Sequence, residues 1–208
     1  MRHFFAALLF AGCGDRTPVF AQQPAVAPAP RAVTPEVQAA KARLAAAEEE
    51  LRREQRLRAT GASSTDRVEV AELRVHFATT ALALASGNLK AEHASREAEV
   101  VVLTRRWVRA KENGAKSAEF AEQVDARLRE LAEGRARLAV FNGDRAALLK
   151  AHATLVEVAE RRLERAQHLF ERKVGPAAEV KRCELAALNE RDRLAAAKTA
   201  RLFPRRAD

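Results

Sequence analysis

The chain has 208 residues, 48% hydrophobic, 31% charged and 5% aromatic, with no tyrosine, two cysteines and a formal charge of +9. Alanine, arginine, glutamate and leucine dominate, which is the composition of long helices and coiled coils rather than of a thick globular core. Two cysteines exclude a disulfide framework. The basic residues are interleaved with glutamate along helical stretches, as in "AEEELRREQRLR". That mixing marks a solvated, ion-paired helix surface, so nucleic acid is not an expected partner.

The N-terminus reads "MRHFFAALLFAGCGDRTPVFAQQPAVAPAP". A basic start, an apolar run from Phe4 to Ala11 and a small-residue exit have the form of an export signal over residues 1–21. The run is too short to span a membrane as a helix. Two processing readings stand open. "VFA" fits cleavage after Ala21, whereas "FAGC" resembles a bacterial lipobox, which would place a lipid tether on Cys13. Cleavage would remove Arg2, Asp15 and Arg16 and leave a charge of +8. Residues 22–35 carry Pro24, Pro28, Pro30 and Pro35 and read as an extended linker.

From residue 36 to 203 the pattern is helical. Three stretches break it strongly: "TGASS" (60–64), "NGAKS" (113–117) and "KVGPA" (173–177). In each, glycine suits the left-handed end of a helix, and Ser64, Ser117 or Gly175-Pro176 opens the next one. Gly87 and Gly143 are weaker breaks, because the apolar stripes on either side keep their phase across them. The expected fold is therefore all-α, an elongated set of antiparallel coiled-coil hairpins with four helices at 36–59, 65–112, 117–172 and 177–202. In it the turns at 60–64 and 173–177 share one end and the turn at 113–117 lies at the other. Asn142 would then lie inside a seam and fix its register. The alternative keeps turns at Gly87 and Gly143 and gives six shorter helices in three hairpins.

The chain also repeats itself. Shifted by 112, residues 47–73 lie on 159–185 without a gap and match at nine of 27 positions, including Leu51/Leu163, Arg53/Arg165, Gln55/Gln167 and Leu57/Leu169.

Arg53-x3-Leu57-x6-Ser64 resembles the hairpin-tip motif of bacterial periplasmic adaptor (membrane-fusion) proteins. Residues 163–197 resemble the coiled-coil hairpin of those adaptors, and are similar also to the helical repeats of TolC-type outer-membrane channel proteins. The likeness is best over 44–85 and 155–200. It implies a tip that docks on a helical partner, an outer-membrane channel or adaptor-like protein, in an efflux or secretion assembly. Arg53 would donate to the partner's backbone or carboxylates, Leu57 would fill an apolar notch, and Ser64 would hydrogen-bond at the turn. Arg165 and Leu169 repeat the pattern, but Pro176 stands where the serine would be. The chain departs from adaptors in having no alternating β-branched runs to build their lipoyl-like and barrel domains.

No constellation of catalytic or metal-binding residues appears. None of His3, His76, His93, His152 and His168 stands in a metal-binding pair, and "NGAKS" lacks the second glycine of a phosphate loop. Cys183 reads as an apolar filler and Trp107 as a cover over the seam. The expected role is contact between proteins in the periplasm or cell envelope, without enzyme activity, cofactor or metal, and with self-association. A purely structural envelope coiled coil and a basic module on anionic membranes are the alternatives.

Overall fold

The computed structural model describes residues 34–114 and 120–202. The export signal, its cleavage and lipobox sites, Cys13, nearly all of the linker and residues 115–117 of the "NGAKS" turn lie outside the described residues. Within them the chain is all-helical, without strands.

There are six helices: α1 (Pro35–Ala59), α2 (Thr65–Ser86), α3 (Leu89–Gly114), α4 (Ala121–Asn142), α5 (Arg145–Glu171) and α6 (Ala177–Thr199). The expected four-helix arrangement is corrected at Gly87 and Gly143. Each has a left-handed backbone, φ +69° and +68°. An Asx residue follows directly and caps the next helix. The Asn88 Oδ1 accepts from the Ala91 N–H at 3.1 Å, and the Asp144 Oδ1 from the Ala147 N–H at 2.9 Å. A glycine stop abutting an Asx start reverses the chain in two residues. That is short enough to leave the apolar phase unbroken, so phase could not reveal the turn. Asn142 ends α4 on the surface and is not a seam residue.

The two structures predict opposite signs for one substitution. Inside a helix, Gly87→Ala would stabilise the protein by about 1 kcal/mol. In the left-handed turn it destabilises by about 1 kcal/mol, and a Cβ there would touch nothing within 4 Å, so only backbone strain contributes. Denaturant titration of the variant is expected to show a loss; a gain would restore the long-helix arrangement.

Among the described residues each helix backbone packs closely only against its neighbours in sequence, while side chains also reach the next helix but one, as Arg127 of α4 does to Asp66 of α2 at 3.3 Å. Successive helices run antiparallel, as pairs between early and late residues show: Asp66 with Arg106, Glu99 with Arg137 and Glu160 with Arg191. The turn at 60–64, the connection from α3 to α4 and the turn at 172–176 therefore share one end, and Gly87 and Gly143 mark the other. The expected placement of the 113–117 region at the opposite end from 60–64 is corrected, because α2 reverses at Gly87 before α3 returns.

The helix boundaries reveal a shorter period inside the 112-residue one. α2 and α4 begin at Thr65 and Ala121, α4 and α6 at Ala121 and Ala177, and α3 and α5 at Leu89 and Arg145, in each case 56 residues apart. One hairpin is thus the repeating unit, and each unit rests on the one before it.

Interior helices face two neighbours and need two buried stripes. Leu73, Val102, Leu103 and Leu131 form one core cluster, with Trp107 packed against it. Ala139, Leu148 and Ala197 form another. Phe77 and Leu84 remain 48% and 47% exposed. Much of the seam is alanine, which leaves room for arginines to reach across to buried acids. Glu69, Glu99 and Asp125 are buried in this way. The partner of Glu99 is Arg137.

His76 lies in α2, and its backbone oxygen accepts from the Ser95 hydroxyl of α3 at 2.7 Å. Burial pushes its imidazole below 6.5, Glu72 and Glu99 oppose that, and Arg105 adds to it. The unfolded chain therefore takes up the proton first as pH falls. The stabilising contribution is complete above pH 6.5 and is lost as pH drops toward the folded-state value. His76→Gln is expected to flatten the fall in denaturation midpoint between about pH 7 and pH 5.

Candidate functional site

The turn end of the array carries every residue that the tip motif singled out. Its two fully described turns are built alike. In the first, the Leu57 oxygen accepts from the Ala62 and Ser63 N–H groups at 2.8 and 3.2 Å. In the second, the Leu169 oxygen accepts from Val174 and Gly175 at 2.9 and 3.1 Å. The left-handed residue is Gly61 in one and Lys173 in the other, φ +77° and +58°. Glycine was expected in that role at Gly175. Gly175 instead packs under Leu169, whose Cβ would stand 3.1 Å from a Cβ added there.

The first turn is polar. Arg53 is exposed and makes no ion pair among the described residues. Leu57 is half-buried. Ser64 caps α2, its Oγ accepting from the Arg67 N–H at 3.3 Å. Ser63, which the motif passed over, is buried and donates to the Glu54 carboxylate at 2.5 Å. The turn is thus tied to α1 and its cap group is already engaged.

The second turn differs in both of its expected contact residues. Arg165 is held within the chain: its guanidinium lies 2.6 Å from the Asp125 carboxylate, which Arg161 also grips at 2.8 Å. Leu169 is free, 45% exposed, and it stands beside Phe170 at 48% and Val174 at 74%. Of these three, sequence reasoning singled out Leu169 and missed Phe170 and Val174. Phe170 carries no sequence signal that separates it from a seam residue, and Val174 carries the one available signal, a large apolar residue inside a turn.

The 56-residue period explains why Arg53 and Arg165 diverge. Arg109 is their counterpart in α3, and it makes two bonds to the Glu69 carboxylate, at 2.8 and 2.5 Å. Donating these hydrogen bonds to Glu69 also raises the Arg109 pKa above its ordinary value. Arg109 to Glu69 and Arg165 to Asp125 are the same contact one repeat apart, each reaching the hairpin before. Among the described residues Arg53 has no preceding hairpin to reach. Arg106, one turn before Arg109 in α3, bonds Asp66 at 3.1 Å and Glu130 at 3.0 Å.

A groove of about 450 Å³ runs between α4, α5 and α6, lined in part by Asp125, Arg129, Arg162, Arg165, Cys183 and Glu190. Asp125 is paired with Arg161 and Arg165, and Glu190 with Arg193 at 3.0 Å. Burial pushes the Cys183 thiol up, Arg162 opposing and Glu179 adding to the effect, so the sulfur stays protonated and weakly nucleophilic. Among the described residues no group of three or more His, Cys, Asp or Glu side chains is placed to hold a metal ion. No helix of the described residues is long and apolar enough to cross a membrane. Compared with protein-family models, curated proteins and solved structures, the chain matches none.

Proposed function

We propose that this chain is exported to the bacterial cell envelope and works there by protein–protein contact, as coiled-coil hairpins whose turn end docks on a helical partner in an efflux- or secretion-type assembly. The observation that carries this reading is the exposed apolar cluster Leu169, Phe170 and Val174 at the turn end. Large apolar side chains grouped at a helix turn gain by meeting a partner's apolar surface. Arg53, at the same end of the array and without an ion pair among the described residues, supplies a charge that can bond a partner's backbone or carboxylate. The leader-like N-terminus and the tip spacing of Arg53, Leu57 and Ser64 support the envelope setting.

The test is co-purification with an outer-membrane channel protein from envelope membranes. Phe170→Glu with Val174→Glu is expected to abolish it at unchanged helicity, and Arg53→Ala with Leu57→Ala to weaken it. Retention of the channel by the Phe170/Val174 variant would rule out turn-end docking. A second reading, a structural envelope coiled coil without a transport partner, draws support from the uncovered face of α6. A membrane-surface role draws less, because many of the arginines are committed to ion pairs.

A further inference from the structure

α6 is the last helix of the described residues, and among them only one of its faces is covered. Cys183, Ala187, Glu190 and Ala197 are buried. On another face, Ala178, Lys181, Leu185, Leu188, Asp192 and Ala195 follow one another by alternate steps of three and four residues, the spacing of a coiled-coil seam. All six are exposed, Leu185 by 63% and Leu188 by 52%. Earlier in the array several of the corresponding positions are closed, although Arg129, one repeat before Leu185, is exposed. Leu73 stands two repeats before Leu185 and is 6% exposed, Ala132 one repeat before Leu188 at 1%, and Ala139 one repeat before Ala195 at 2%. The open face of α6 is therefore the face that a next hairpin covers elsewhere.

A second copy could not simply continue the array. The contact of Arg109 with Glu69 would become Arg53 against Lys181, and that of Arg105 with Glu72 would become Glu49 against Glu184. Both ion pairs would turn into like-charge contacts, which disfavours open-ended head-to-tail growth. The face is instead complementary to itself. Turned end for end, it sets Leu185 against Leu188 of the second copy, Lys181 against Asp192, and Ala178 against Ala195, about a two-fold axis between Ala186 and Ala187. Neither Lys181 nor Asp192 has an ion-pair partner within the described chain. Antiparallel pairing is also the relation of every adjacent helix pair in the array.

We infer that α6 pairs antiparallel with α6 of a second copy and makes a closed, isologous dimer. This gives the self-association expected from the sequence a defined surface, and it does not depend on docking at the turn end. Sedimentation equilibrium of the full chain tests it, from micromolar to submillimolar concentration. The natural chain is expected to dimerise and to stop there. Leu185→Glu with Leu188→Glu is expected to raise the dissociation constant by about 100-fold or more while circular dichroism stays unchanged, since both side chains are exposed in the monomer. Lys181→Asp and Asp192→Lys alone each weaken the dimer by about tenfold, because two repulsive contacts replace two attractive ones. Combined, they restore it, since the swapped pair recurs on both sides of the axis. Arg53→Ala with Leu57→Ala leaves it intact. A monomer throughout, open-ended polymers, a dimer that survives the glutamates, or a combined swap no tighter than the single ones would each overturn the inference.

Discussion

Replacing Leu131 by alanine is expected to lower the unfolding free energy by about 3 kcal/mol. Leu131 is fully buried and meets Leu73, Val102 and Leu103, so one side chain ties α4 to the two helices before it. An alanine leaves a void that rigid antiparallel helices close only in part, and the lost contacts add to the lost transfer free energy. The effect is large because the seam around it is mostly alanine, with few other large side chains to share the load. Urea denaturation should show a lower midpoint at an unchanged slope. Val101→Ala, at a 58% exposed position outside the proposed α6 interface, serves as control and should not lower stability by more than about 0.5 kcal/mol. A loss below about 1 kcal/mol at Leu131 would mean that the centre of α4 is not enclosed.

Arg109→Ala is the second large effect, a loss of about 2–3 kcal/mol. A fully buried ion pair loses about 3–5 kcal/mol when one partner goes, because the other charge remains without water or a counter-charge. Here the Glu69 side chain is 4% exposed and Arg109 38%, which calls for the lower figure. Arg109→Leu combined with Glu69→Leu should recover most of the loss, since no stranded carboxylate remains. Arg165→Ala should cost less, under about 1 kcal/mol, although it is the same contact one repeat on. Asp125 keeps Arg161 there, at 2.8 Å. Equal losses at Arg109 and Arg165 would contradict the geometry of the second pair. Thermal or chemical denaturation of the three variants decides it.

These two predictions concern the same design. Alanine-rich seams let helices approach closely but bury little apolar area per residue. Specific arginine–carboxylate bridges then select which helix face meets which, and the 56-residue period reuses one such bridge twice. The position of Arg53 follows from this. It is the first arginine in that register, and nothing among the described residues stands before it. The same logic leaves α6 with an uncovered stripe at the other end.

The tip motif was readable in the sequence, but its environment was not. Arg53-x3-Leu57-x6-Ser64 and its copy at Arg165 and Leu169 look equivalent as text. In the fold one arginine is open and the other is gripped by Asp125, forty residues earlier in the chain. Phe170 and Val174 became the more prominent surface because the turn at 172–176 leaves both side chains outside the packed faces. No local pattern distinguishes an exposed phenylalanine at a helix end from one on a seam.

Sequence alone determined that this protein is helical, where the turns at Gly61 and Gly175 fall, and that its two ends repeat each other at a distance of 112 residues. Those features rest on local chemistry: helix propensity, capping side chains and glycine or proline at boundaries act within a few residues. Tertiary structure decided that Gly87 and Gly143 are reversals, that the repeat is half as long as it looked, and which apolar stripe is covered. A two-residue reversal preserves the periodicity on both sides, so only the packing of α3 on α2 and of α5 on α4 separates a tolerated glycine from a turn. Burial likewise depends on a helix having neighbours on both sides, which residue spacing along one helix does not encode.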